Sequence, residues 1–262
     1  MGADKVTKRI ARRILLTPVV RRSLSKVVDF YNNLPVDSLQ EEFKLDGDKS
    51  QSPLFHVGSV MPFPDKDAAA LKKVVGMAVK DNMLVAEVGS WTGKSTGVIA
   101  KNVLSRHGHV YAIDHWQGSI DVWQYDVAKK YNIFSVFRKN MELLGVSDAV
   151  HPLVMDSQTA SKIFKDGSLD LVFIDGDHRY TPVKNDILLW VPKLKRGGIL
   201  CGHDCSGYYS KFPKDVQELI DKNCEQDDIP GVGHPGVIKA LYDCFHDKHL
   251  IMPDSVVWYY KE

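Results

Sequence analysis

From residue 68 onward, short apolar runs alternate with amphipathic stretches of helical period, and four of five such runs end in an aspartate or a pair containing one. The runs are Leu84–Ser90, His109–Asp114, Val150–Asp156, Leu169–Asp175 and Gly198–His203, the last followed by Asp204. Continuous apolar character, without polar alternation, marks strands covered on both faces. Helical spacing is read over Ala68–Val79, Lys94–Ser105, Asp126–Leu144, Tyr180–Val191, Pro213–Asn223 and Val237–Phe245. A closing pair, His249–Met252 and Ser255–Lys261, brings the strands to seven. Strands alternating with helices connect by right-handed crossovers, so the expected fold is α/β: a doubly wound, mostly parallel sheet with helices on both faces. Such sheets bind ligands beyond the carboxyl ends of their strands. That rule selects residues 87–93, Asp114-His115, Asp156-Ser157, 175–178 and His203-Asp204 before any motif is considered.

Residues 1–67 have a different character and read as a basic helical arm followed by a linker. Between Met1 and Val28 eight basic residues face one acid. Val6, Ile10 and Ile14 recur at helical spacing, Pro18 interrupts, and Val20, Leu24 and Val27 resume, which predicts two short amphipathic helices. No run approaches the roughly 20 apolar residues that span a bilayer, so neither a transmembrane helix nor a signal peptide is expected. The arm suits peripheral contact with an anionic membrane, contact with an acidic partner or a twin subunit, an organelle-targeting role, or packing on its own domain. Across the whole chain the formal charge is only +1, which provides no general field for nucleic acid. The cysteines, Cys201, Cys205, Cys224 and Cys244, lack CxxC spacing and read as reduced thiols in a cytoplasmic compartment.

The turn after the first strand, Glu87-Val-Gly-Ser-Trp-Thr-Gly-Lys-Ser95, superficially suggests a phosphate loop. Only three residues separate Gly89 from Gly93 where that loop needs four, and Trp91 occupies the second glycine of a dinucleotide signature. What remains is an acid and two glycines four apart. The glycines permit a tight backbone turn under an adenosine-type ligand, and Asp114, 25 residues beyond Gly89, is placed to take ribose hydroxyls. Leu171-Val-Phe-Ile-Asp175 also looks like the strand and aspartate that hold magnesium in NTPases, so a nucleotide-hydrolysing reading is an alternative.

Taken with Ala112-Ile-Asp114, Phe173-Ile-Asp-Gly-Asp-His-Arg-Tyr180 and Lys195-Arg-Gly-Gly-Ile-Leu200, that turn resembles class I S-adenosylmethionine-dependent methyltransferases, which have a Rossmann-like sheet. The Ile-Asp-Gly-Asp-His segment is similar to the methyltransferase-24 group, relatives of catechol-type and macrocin-type sugar O-methyltransferases. The resemblance covers residues 68–262 and implies S-adenosylmethionine as cofactor. Glu87, Gly89, Ser90 and Gly93 would hold its methionine end and sugar edge, Asp114 and His115 the ribose, and Asp156 and Ser157 the adenine, with Asp175 also among the cofactor-binding residues. It also implies a small-molecule hydroxyl as acceptor and a homo-oligomer. Motifs of nucleic-acid methylation are missing from the sequence.

Methyl transfer requires an in-line nucleophile and removal of its proton. By resemblance, Asp175, His203 and Asp204 would hold Mg2+ or Mn2+ at the acceptor hydroxyl, although a histidine in that set departs from the all-oxygen preference of magnesium. His203 facing substrate as acid or base is the alternative. For the base, resemblance points to Asp177, favoured narrowly over His178. Aromatic residues Trp116, Trp123, Tyr125, Tyr131, Tyr208 and Tyr209 either stack on the acceptor or close the core. The glycine-rich Gly231–Gly236 segment reads as a lid carrying His234. A binding protein that retains the fold without turnover is the reading from another functional class.

Overall fold

Each of the five apolar runs forms a parallel strand with helices against both of its faces. The computed structural model describes residues 63–119 and 123–261, so the predicted arm lies outside the described residues. The strands are β1 Leu84–Val88, β2 His109–Asp114, β3 Val150–Val154, β4 Leu169–Ile174, β5 Leu194–Gly202, β6 Leu250–Ile251 and β7 Trp258–Lys261. Their order across the sheet is β3-β2-β1-β4-β5-β7-β6, with β7 antiparallel to both of its neighbours. The chain starts at the centre, winds out to β3, then returns to lay β4 on the other side of β1. The switch between β1 and β4 splays the following turns apart and opens a crevice there.

The helices are α1 Asp65–Ala78, α2 Lys94–Val103, α3 Trp123–Lys130, α4 Ile133–Leu143, α5 Ser157–Ser161, α6 Tyr180–Trp190, α7 Lys214–Asn223 and α8 Pro235–Phe245. Leu71 and Val74 of α1, Ile99 of α2 and Phe137 of α4 cover one face of the sheet, while Ile187 and Trp190 of α6 and Leu241 of α8 cover the other. Each such side chain contributes about 1.5–3 kcal/mol by leaving water. All six residues of β4 are buried, Asp170 included. That carboxylate is tolerable because Lys80 at 2.6 Å, Lys195 at 2.9 Å and the Leu84 amide at 2.8 Å compensate it.

The helix expected over 126–144 is two helices. Asn132 interrupts the run because its side chain accepts a hydrogen bond from the Ser135 amide at 3.1 Å and so caps α4. A cap of this kind contributes about 1 kcal/mol. Asn132→Ala is therefore expected to lower unfolding free energy by about that amount in urea titration, with an unchanged m-value. Other boundaries moved as well: β5 begins at Leu194 rather than Gly198, β6 shrinks to two residues, and the short α5 had no periodic signal. Phe63 and Asp67, placed in the linker by composition, are buried against the sheet.

Candidate active site

The carboxyl ends of the strands open into a cleft of about 1020 Å³, and Gly89, Ser90, Asp114, His115, Asp156, Ser157, Asp175, Asp177, His178, His203 and Asp204 all line it. Glu87 and Gly93, expected among the cofactor ligands, lie beneath the turn instead. Glu87 is fully buried and accepts hydrogen bonds from the hydroxyls of Ser90 at 2.8 Å, Ser95 at 2.6 Å and Thr96. Burial outweighs these three bonds and pushes its pKa up to about 7. Between the ordinary 4.5 and about 7 the folded chain holds a proton that the unfolded chain has released, so stability falls as pH rises through that window. Glu87→Gln should flatten this decline, by up to about 3 kcal/mol, in unfolding titrations between pH 4.5 and 7.

Gly89 and Gly93 adopt φ of +86° and +90°, conformations that favour glycine. The turn they create aims the amides of Ser90 and Trp91 at Asp114 Oδ2, at 3.0 and 2.9 Å, while the Trp116 amide donates to Oδ1 at 2.6 Å. A phosphate loop keeps such amides for the phosphate. Here a carboxylate consumes them and would repel a phosphate, which removes the physical basis of the NTPase reading. Asp114 Oδ1 keeps a lone pair for a ribose hydroxyl. His115 is half exposed, and its Nδ1 accepts from the Gln117 amide at 3.0 Å. Trp116 turns inward and packs on Phe134 and Phe137, so it closes the core. Tyr209 is also buried, with its hydroxyl on Asp221 at 2.8 Å.

At the next strand end Asp156 caps α5 through the amide and hydroxyl of Thr159, at 2.8 and 2.7 Å. These bonds overcome partial burial and hold its carboxyl below the usual range. Ser157 accepts from the Trp190 indole at 2.8 Å and donates to Asp186 on α6.

The opposite end of the cleft concentrates charge. His178 is bracketed by two carboxylates, with Nε2 3.1 Å from Asp204 and Nδ1 2.9 Å from Asp227. His203 lies between Asp204, 3.0 Å from Nδ1, and Asp67, 3.3 Å from Nε2, and stacks against Phe63. Burial disfavours charge on both imidazoles, but the surrounding carboxylates outweigh it and raise the pKa of His178 well above 6.5 and that of His203 to about 10. Burial raises Asp175 to about 6, and the two histidines keep the buried Asp204 well below the usual carboxylate range. Asp204 holds a left-handed φ of +68°, a strained conformation for aspartate that the surrounding contacts impose. His234 closes over this cluster, its Nδ1 2.6 Å from the Asp227 carbonyl and its Nε2 3.6 Å from Asp204.

One expectation changes here. Asp177, favoured as base, is clamped by the Arg179 guanidinium and lowered in pKa, because those bonds overcome its burial. The expected metal set, Asp175, His203 and Asp204, is brought together at this end of the cleft, with both nitrogens of His203 facing carboxylates and each oxygen of Asp204 facing an imidazole. Among the described residues the groups at ligand spacing are Asp175–His178–Asp204 and His178–Asp227–His234, and both draw on His178. Asp67 and Asp227 escaped sequence reasoning because they reach the cluster from α1 and from a motif-free loop. Cys201 and Cys205 are buried, which pushes both thiols up, Cys205 to about 12, so they are inert as nucleophiles.

Residues 86–205 match the methyltransferase-24 family model, described as a methyltransferase domain. This segment is a methyltransferase domain. The chain is 25% identical over 155 residues to the uncharacterized protein R132 of Acanthamoeba polyphaga mimivirus, a match spanning 58% of this chain and 64% of that relative. Among solved structures, the O-methyltransferase from Bacillus cereus in complex with SAH superposes with a TM-score of 0.53 at 16% identity, covering 87% of this chain and 97% of the other. Cofactor-bound Rv0187 from MTB gives a TM-score of 0.51 at 15% identity, covering 86% and 93%. At these identities the likeness establishes the fold alone, and the domain described above has it.

Proposed function

We propose that the methyltransferase domain transfers the methyl group of S-adenosylmethionine to a hydroxyl of a small molecule, a phenol, a sugar or a related natural product. The observation that carries this reading is the continuity of one cleft from the Asp114-anchored turn to the Asp175–His178–Asp204 cluster. The turn and Asp114 would hold the amino-acid and ribose portions, and the Ser157 end would take the purine. Bound in that way, the cofactor would present its methyl group toward the charged cluster. An acceptor hydroxyl entering there meets His178, which in its unprotonated form takes the hydroxyl proton while Asp204 and Asp227 stabilise the imidazolium that results. Asp175 and His203 set the local field. In-line attack by the oxygen breaks the sulfonium–methyl bond and releases S-adenosylhomocysteine. The likeness to the Bacillus cereus O-methyltransferase supports oxygen as the acceptor atom. Unpaired cysteines support a reducing compartment, and the basic arm supports contact with a membrane or a twin subunit.

The test is transfer of isotopic label from the methyl of S-adenosylmethionine into a panel of phenols, catechols and sugar hydroxyls, with and without a chelator. Labelled ether products that survive chelation are expected. Cofactor binding without label transfer to any hydroxyl would favour a binding protein on a retained fold.

A further inference from the structure

The loop between α7 and α8 brings two side chains to His178 that the strand-end rule does not account for. Asp227 Oδ1 lies 2.9 Å from His178 Nδ1, and the His234 ring stands edge-on to the His178 ring at a centroid separation of 4.2 Å. One ligand atom from each of His178, Asp227 and His234 lies within 4.8 Å of the other two. A cation with bonds of about 2.0–2.2 Å holds tetrahedral ligand atoms about 3.4 Å apart, so small side-chain shifts complete the set. The hydrogen bonds assign the ring protons. A carbonyl only accepts, so His234 Nδ1, 2.6 Å from the Asp227 carbonyl, carries a proton, and a neutral ring keeps its lone pair on Nε2. That lone pair faces Asp204 Oδ1 at 3.6 Å. With His178 Nε2 donating to Asp204 at 3.1 Å, the His178 lone pair on Nδ1 likewise faces a carboxylate, that of Asp227. A second proton on each ring relieves these two conflicts separately, whereas one cation relieves both together. Each ring then keeps its other N–H on a carboxylate or a backbone carbonyl, the arrangement that orients metal-ligating histidines.

The loop is pinned on both sides. Ile229 and Gly233 exchange backbone hydrogen bonds at 2.8 and 2.9 Å, the Ser206 hydroxyl donates to the Val232 carbonyl at 2.5 Å, and Ile229 and Val232 are buried. At the start of α8, Gly236 packs so close to the turn after β4 that an added Cβ would stand 2.4 Å from the His178 carbonyl oxygen. These contacts hold Asp227 and His234 against His178 before any ligand arrives. We infer that His178, Asp227 and His234 form a site for a borderline-soft divalent cation such as Zn2+, and that its occupancy blocks proton removal from the acceptor. Two imidazoles and one carboxylate favour zinc or cobalt over magnesium, which prefers oxygen ligands. The site shares no residue with the set Asp175, His203 and Asp204. His178 and His234 line the cleft, and the Asp227 side chain is 42% exposed, so a cation has a path in. Loading releases any second proton on His178 to solvent and leaves the ring with Nδ1 on the cation and Nε2–H on Asp204. No lone pair is then left for an acceptor hydroxyl. The block rests on the assignment of His178 as base above; the cation site does not.

The experiment titrates the tag-free full chain, stripped with a chelator, with Co2+ read by its visible d–d absorption, and then displaces the Co2+ with Zn2+. Saturable Co2+ binding displaced by Zn2+ is expected, weaker by about tenfold or more in Asp227→Ala and in His234→Ala and unchanged in Asp175→Asn. Asp227 is partly exposed, so Asp227→Ala supplies a folded comparison even where His234→Ala melts early. Binding lost in Asp175→Asn but kept in the two loop variants would move the cation to the strand-end set, and a cobalt–thiolate charge-transfer band would move it to a cysteine. Either result overturns the inference, as does a folded wild type that binds no Co2+. Saturating Zn2+ should also reduce methyl-label transfer by the wild type by about a hundredfold, and by far less in His234→Ala. Zn2+ bound at the three residues with label transfer unchanged would overturn the block, and His178 as base with it, while the cation site stands.

Discussion

Replacement of Gly89 by alanine is expected to destabilise the domain by at least about 4 kcal/mol and to abolish cofactor binding. Two independent costs meet at this position. The backbone holds φ at +86°, where an L side chain is strained by about 1–2 kcal/mol. An added Cβ would also stand 2.0 Å from the carbonyl oxygen of Asp175 and 2.7 Å from the Gly176 Cα. These are backbone atoms at the end of β4, so they cannot swing aside as a side chain can. Relief requires β1 and β4 to separate at the switch point, which breaks the Asp175 amide bond to the Val88 carbonyl and moves the Ser90 and Trp91 amides off Asp114. Denaturant unfolding and calorimetry on the same preparation check both parts. A variant with wild-type stability would show that the close approach is not a constraint.

The second large effect is expected at His178. His178→Asn should reduce turnover by about a hundred- to ten-thousandfold while leaving affinity for S-adenosylmethionine nearly unchanged, because His178 lies at the acceptor end of the cleft. Asparagine can still bond one of the flanking carboxylates, but it cannot take a proton. The raised pKa of His178 gives the wild type a further signature. A base works in its unprotonated form, so turnover should climb as pH rises above neutrality, and the climb should vanish in His178→Asn. Unchanged turnover in a folded variant would move proton removal elsewhere in the cluster.

Much of this architecture is legible in the sequence because its signals are local and repeated. A strand covered on both faces must be apolar throughout, as Leu169–Ile174 is except for the ion-paired Asp170, and a ligand at the strand ends requires polar residues just beyond them. Those two rules locate Asp114, Asp156, Asp175 and His203-Asp204 on one rim without a motif. They fail for Glu87, since the strand-end rule cannot tell an acid that points into the cleft from one turned under by Ser90, Ser95 and Thr96. They also fail for partners brought in by tertiary folding. Asp67 is a first-turn helix residue, Asp186 a polar position on an amphipathic helix, and Asp227 a loop acid, and only packing shows that each reaches the cleft or its charged cluster. Asn132 was the opposite case, a local capping signal hidden within a longer apolar period.

The central claim, that this cleft binds S-adenosylmethionine for methyl transfer, is tested most directly by titrating the full chain with S-adenosylmethionine in a calorimeter, with ATP as competitor. Saturable binding at one site, displaced by S-adenosylhomocysteine and unaffected by ATP, is the predicted result. Displacement by ATP, or no binding by a folded chain, would contradict the claim and leave the strand-end carboxylates serving a different ligand.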